Sequence, residues 1–177
     1  MANFVYIATS IDGFIADLDG GVDWLDEIPN PDDSDFGFAN FINEIDALLM
    51  GKNTFEKVLT FDKWVYDKPV FVLSNSLSAI PDHLTEKAEI IGGGIQDVIN
   101  RLKGRGYQNL YVDGGRVIQS FLRENLIDEL IITTVPIILG SGIPLFGEVD
   151  SHLKLKHKHT ELFNNYLVKS HYIRDHK

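Results

Sequence analysis

The run Tyr111-Val112-Asp113-Gly114-Gly115-Arg116-Val117-Ile118-Gln119-Ser120-Phe121-Leu122 constrains this chain more than any other segment. A β-rich stretch stops at two glycines and restarts at once as an amphipathic helix. Paired glycines let backbone approach an anion with no Cβ in the way, and the N–H groups of the first helical turn point unpaired at the same spot. A plain strand-turn-helix joint needs the same glycines in order to turn, so the motif alone leaves both uses open.

The rest of the chain repeats the alternation of short β runs and helices expected of an α/β domain. Phe4 to Ser10 is a near-continuous apolar strand. Phe38, Phe41, Ile42 and Ile45 recur at helical spacing and predict a helix beginning near Ser34 or Asp35, either of which can cap it. Ala47 to Met50 is a buried strand ending at Gly51, and Asn53 and Thr54 can cap a short helix through Val58. Pro69 to Ser74 and Ala88 to Ile91 are strands, and Ile95, Val98, Ile99 and Leu102 mark a helix stopped at Gly104 or Gly106. Leu110 to Asp113 feeds the opening motif. Leu130 to Leu139 is an apolar β run interrupted by Pro136. Segments near Leu153 to Leu162 and Tyr166 to Ile173 alternate polar and apolar residues around Asn164-Asn165, as a closing antiparallel hairpin does. In a sheet of this kind ligands sit at the carboxyl ends of the strands.

At 177 residues and 44% hydrophobic, the chain has the size of one well-cored domain. It has no cysteine, which removes disulfides, thiolate-zinc sites and a cysteine nucleophile and fits a reducing cytosol. A formal charge of −10 argues against nucleic acid as a partner. No apolar run is long enough to span a bilayer, so we expect a cytoplasmic protein without a membrane partner. Asp17 to Asp35 carries Asp17, Asp19, Asp23, Asp26, Glu27, Asp32, Asp33 and Asp35 with prolines and glycines and reads as an exposed loop. His157 and His159, two apart on a strand, are expected to share a face, but lysines surround them and we expect no metal.

Three segments together resemble the dihydrofolate reductase-like superfamily. Ile7-Ala8 with Ile11-Asp12-Gly13-Phe14-Ile15-Ala16 resembles its first strand and the loop over the nicotinamide; Leu49-Met50-Gly51-Lys52-Asn53-Thr54-Phe55-Glu56 its strand-to-helix corner at the cofactor; and Asp113-Gly114-Gly115-Arg116-Val117 its double-glycine turn. The order and spacing match from about Asn3 to Leu139. Ile127-Asp128-Glu129-Leu130, with Thr133 to Phe146 after it, resembles more closely the C-terminal reductase domain of the bifunctional riboflavin-biosynthesis deaminase-reductase. The implied fold is a central, mostly parallel sheet flanked by helices, with a C-terminal antiparallel hairpin. The implied activity is NADPH-dependent reduction of a pteridine-like or ribosylaminopyrimidine substrate. A nucleotide-binding module that kept the cofactor cradle and lost the chemistry is the competing expectation.

By the same resemblance, Gly114, Gly115, Arg116 and Val117 would meet the cofactor diphosphate, with Gly51, Lys52, Asn53 and Thr54 facing it from a second helix start. Lys52 would pair with a 2′-phosphate, and Leu73, Ser74 and Asn75 would sit beside the adenosine. Ala8 would lie under the nicotinamide, and Ile15 would come from the covering loop. Asp113 is an awkward neighbour for a diphosphate and is left unassigned. Asp35 falls where the family's catalytic acid stands and Thr133 where a hydroxyl linked to it stands, although an N-cap and a plain strand residue are equally good readings. Lys68 replaces the arginine that folate enzymes use for the substrate tail, which speaks against folate, and Gly140-Ser141-Gly142 can form an anion nest or a simple turn. Trp24 is either a cover over the substrate or a hydrophobic anchor. Dimers among similar domains and the apolar run Val135 to Leu145 lead us to expect a homodimer.

Overall fold

A computed structural model describes residues 1–175. Its centre is an eight-stranded sheet in the order β5-β4-β3-β6-β1-β7-β10-β9, formed by β1 (Ala2–Ser10), β3 (Ala47–Gly51), β4 (Val70–Leu73), β5 (Ala88–Ile91), β6 (Asn109–Asp113), β7 (Glu129–Val135), β9 (Leu155–Phe163) and β10 (Leu167–Arg174). β1, β3, β4, β5, β6 and β7 run parallel, whereas β10 is antiparallel to both β7 and β9. A small second sheet pairs β2 (Phe14–Ala16) with β8 (Ile143–Pro144).

The central strands are apolar along their length because helices cover both faces. On one face α3 (Ile95–Gly104) and α4 (Gly115–Arg123) bury Val98, Leu102, Val117, Ile118 and Phe121 against Val5, Leu49, Leu110 and Val112. On the other, α1 (Phe38–Asn43) and α2 (Lys52–Val58) set Phe41 and Phe55 against Phe4, Leu48, Met50, Val70 and Tyr111. No helix among the described residues is long and apolar enough to cross a membrane.

Several boundaries differ from expectation for local reasons. The first helix starts at Phe38 because Phe36 (φ 53) and Gly37 (φ 90) take left-handed conformations. Asp35 still caps it, its two oxygens accepting Gly37 N–H and Ala39 N–H at 2.8 Å. Asn53 and Thr54 do not cap α2: they lie within it, and Gly51 occupies the cap position. β7 stops at Val135, before Pro136, so the expected strand residues Pro136 to Leu139 are loop, with Ile138 exposed, while Val135 and Leu145 on either side are buried. The acidic stretch is not loop throughout, because Asp23–Leu25 forms a 3₁₀ turn that buries Trp24 against Val135 and Leu167. The closing hairpin turns at Asn164 (φ 54) and Asn165 (φ 53), the doubly left-handed pair that a two-residue turn requires.

His157 and His159 do not share a face. The register slips between His171 and Tyr172, so His159 meets His171 while His157 meets Tyr172 on the other side.

Candidate functional site

Two helix starts meet at the carboxyl ends of the neighbouring strands β3 and β6. A Cβ on Gly51, which opens α2, would stand 3.2 Å from Val117 Cγ2 in the first turn of α4. A Cβ on Gly114, which opens α4 at φ 87, would collide with Thr54 Oγ1 in the first turn of α2. The second glycine is confined as well, since a Cβ on Gly115 would reach Ile15 Cδ1 at 3.0 Å and Ile143 Cγ2 at 3.2 Å. Both glycines are therefore required by packing whether or not a ligand approaches them. Neither helix start carries a side-chain cap, so the donors of its first turn stay open to an anion.

The other residues expected around a cofactor gather on the same edge. Leu73 ends β4 beside Gly51, its register partner on β3. The Ser74 hydroxyl is occupied locally, accepting Ser76 N–H at 3.1 Å and Leu77 N–H at 2.9 Å, and Asn75 abuts Gly92 of the glycine turn after β5. Lys52 lies 3.6 Å from Glu56, one helical turn on, and Arg116 is exposed. Ile15 belongs to a flap tied to the loop after β7. Asp12 accepts Leu139 N–H at 3.1 Å and Gly140 N–H at 2.7 Å, and Leu145 N–H donates to Gly13 O at 2.9 Å. The Ser10 hydroxyl and these amides hold the Asp12 carboxyl below the usual range. Gly140-Ser141-Gly142 does not form a free nest, because Gly140 N–H is taken by Asp12 and Gly142 packs against Ala16 O.

Beside this edge, on the α1/α2 face, opens a cleft of about 450 Å³. Tyr6, Ala8, Thr133 and Val135 come from β1 and β7, Leu167 from β10, and Leu25, Asp26, Ile28, Asn30, Asp35, Phe36 and Phe38 from the acidic stretch and the start of α1. Ala8 and Thr133 are register partners. The sheet thus brings Ala8, Thr133 and Asp35 to one cavity, and Trp24 packs behind it as an anchor.

The acidic wall is held from the sheet. Tyr6 Oη–H (2.9 Å) and Lys169 Nζ (3.0 Å) both donate to Phe36 O, at the left-handed corner following Asp35. Lys169 is 7% exposed and also lies 3.1 Å from Glu161, and its ammonium sits 4.9 Å from the Phe163 ring centroid. Burial first, then the nearby carboxylates, pushes the Tyr6 hydroxyl up to about 12. The Ala39 and Gly37 amides hold Asp35 below the usual carboxylate range, and Lys169 adds to that.

One carboxyl moves the other way. Asp113, left unassigned by sequence reasoning, is opposite Met50 in the register and so faces α1 and α2, near the hydroxyls of Tyr66 and Tyr111. Burial raises its carboxyl to about 6 against one lowering contact, the Gly114 N–H. The signal available in the sequence was an acid directly before a double glycine. Its surroundings come from β3, which pairs with it, and from Tyr66 across the chain, which no local pattern encodes. Among the described residues no group of three or more His, Asp or Glu is arranged to hold a metal ion.

Comparison with known proteins places this geometry. The chain is 39% identical over 173 residues to the uncharacterized protein YwjB of Bacillus subtilis, covering 96% of each. Its structure matches that of a protein from Shewanella sp. PV-4, named provisionally for riboflavin biosynthesis, with TM-score 0.95, 46% identity and 99% of each chain covered. The fold recurs in the Thermotoga maritima diaminohydroxyphosphoribosylaminopyrimidine deaminase/5-amino-6-(5-phosphoribosylamino)uracil reductase (TM-score 0.74, 19% identity, 98% of this chain and 56% of that one). It recurs also in Enterococcus faecalis dihydrofolate reductase complexed with NADP(H) (TM-score 0.65, 16% identity, 98% and 96%). The RibD C-terminal domain model matches residues 4–169, nearly the whole of the chain, and the protein belongs to that family.

Proposed function

We propose that the protein is an NADPH-dependent oxidoreductase that reduces a pteridine-like or ribosylaminopyrimidine heterocycle. The observation that carries this reading is the meeting of two uncapped helix starts, at Gly51 and Gly114, beside a cleft floored by Ala8 and Thr133. Family membership supports a reductase. When bound, NADPH supplies the hydride.

The chain's own residues bind, orient and protonate. The first-turn amides of α2 and α4 would hold the diphosphate, with Lys52 and Arg116 supplying positive charge from the same two turns. Gly114, Gly115, Val117, Asn53 and Thr54 shape that corner, while Leu73, Ser74 and Asn75 border the adenosine. Ala8, with its small side chain, leaves room for a flat ring against β1, and Ile15 on the flap closes over it and excludes water. Asp35, fixed by its capping bonds, presents its remaining lone pairs to the N–H edge of the substrate, with Thr133 opposite.

Asp113 is the better candidate for proton donor. A general acid must keep a usable protonated fraction at the working pH: a carboxyl raised to about 6 is mostly ionised at pH 7 but keeps a minor protonated fraction there, and the depressed carboxyl of Asp35 keeps far less. The test is NADPH consumption by the purified protein with a ribosylaminopyrimidine or dihydrofolate as sole acceptor. Turnover with either establishes the reductase. Silence with both, while NADPH still binds, favours a binding module.

A further inference from the structure

The walls of the cleft narrow the substrate beyond what family membership does. Among the residues lining it there is no lysine, arginine or histidine; the side chains charged at neutral pH are Asp26 and Asp35, both carboxylates. The donors are largely spent. Tyr6 Oη–H is given to Phe36 O at 2.9 Å, and the Asn30 amide is closed in a reciprocal pair with the Ser34 backbone, its Nδ2 on Ser34 O and its Oδ1 under Ser34 N–H, each at 2.9 Å. The buried ammonium behind the wall, Lys169, is engaged by Phe36 O and Glu161. What the cavity leaves open is chiefly acceptors, the carboxylates of Asp26 and Asp35, beside the Thr133 hydroxyl, which can accept or donate.

The surroundings offer no refuge for an anionic tail. Beyond Phe38 the cleft adjoins a smaller cavity of about 220 Å³ lined by Lys68, but Asp67 lines it too, and Asp46 faces Lys68 electrostatically. The glycine turn that might have served as a nest has its Gly140 N–H committed to Asp12. The whole chain carries −10 and repels an approaching anion.

We propose that this cleft takes an unphosphorylated, amino-substituted heterocycle, neutral or cationic and rich in N–H donors, and rejects the phosphate ester of the same compound. The inference rests on reading the cleft as the substrate site of the reductase. Exocyclic amines and ring N–H groups match the free lone pairs of Asp26 and Asp35, and an amidine-like edge can fork onto one carboxylate. A phosphate dianion in the same place faces two like charges with no cation among the lining residues to offset them, only the neutral Thr133 hydroxyl.

The test compares an aminopyrimidine ribonucleoside with its own 5′-phosphate by titration calorimetry on the full chain saturated with NADP⁺, so that binding is read without turnover. The nucleoside is expected to bind at least about tenfold more tightly at low ionic strength, with the ratio shrinking as salt is added. D26N and D35N, each verified as folded by circular dichroism, are expected to bring the ratio down. A phosphate that binds as tightly as the nucleoside, a failure of both to bind, or a ratio unchanged in both variants overturns the proposal. A separate NADP⁺ titration without either compound judges the reductase reading alone: no uptake there sinks that reading, while the paired comparison on the free protein still decides the charge rule.

Discussion

The Asp113 carboxylate accepts the backbone N–H of its own neighbour, Gly114, at 2.8 Å, so the residue that ends β6 and the residue that opens α4 are joined by one hydrogen bond. That bond is the sole lowering contact on a carboxyl that burial has raised from 3.8 to about 6.

The first prediction follows from the direction of that shift. A carboxyl raised on folding stabilises the protein below its unfolded value, and the benefit is lost as pH rises through the folded value. D113N should therefore be more stable than the parent at pH 7.5, by up to about 3 kcal/mol, and no more stable below about pH 4. Urea melts of the two proteins across that range check it. If Asp113 donates the proton, D113N also lowers kcat by roughly 10² or more with NADPH affinity little changed, and the parent's kcat/KM declines above about pH 6.

Gly114 is tested by the smallest possible side chain. G114A must place a Cβ against Thr54 Oγ1 at a backbone angle of φ 87, so α2 and α4 are pushed apart. We expect a loss of about 1–3 kcal/mol of stability, measured by thermal denaturation, and weakened NADPH binding. G114A combined with Thr54→Ala should recover part of the stability, because the obstructing hydroxyl is gone. A double variant no better than G114A alone would count against the contact.

Lys169 is expected to act on the cleft from behind. K169M removes one of the two donors on Phe36 O and should cost about 1–3 kcal/mol by leaving a tight corner under-held. The kinetic signature is a raised KM with kcat nearly unchanged, since the acidic wall loosens while the cofactor corner is untouched. K169R should restore part of the affinity.

For the flap the readout is local. Asp12 joins it to the loop after β7, so D12A should speed hydrogen exchange at the Leu139 and Gly140 amides and leave the β7 amides within Leu130–Val135 unchanged. The Asp12 carboxyl is depressed on folding; its contribution is present above its unfolded value and is lost as pH falls through the folded one. The protection of the same two amides in the parent, taken relative to their intrinsic exchange rate at each pH, should accordingly fall in acid.

The strands were legible because their patterns are local. Ala47–Gly51 and the turn at Asn164-Asn165 could be placed from sequence because two-sided burial and a left-handed pair leave marks in composition. The meeting of the segments at Ala8, Asp35 and Thr133 was legible through resemblance and is reproduced as one cavity. Features that depend on register were not. The slip beside Tyr172 that separates His157 from His159 follows from how β9 pairs with β10 across the hairpin. Trp24 is an anchor because Val135 and Leu167 come to it from the far end of the chain. Lys169 appears in the sequence as one of many lysines, and its burial follows from Glu161 and Phe36 converging on it.

The place of β1 in the sheet bears on how the molecule comes into being. It is laid down first, yet its partners are β6 and β7, so it waits without either neighbour until more than a hundred residues have been made. Such distant pairing slows folding. On a ribosome the apolar segment Phe4 to Ile7 would remain uncommitted until β7 emerges, and the cleft floored by Ala8 and Thr133, which requires β1 and β7 together, would be among the last parts of the newborn chain to acquire its shape.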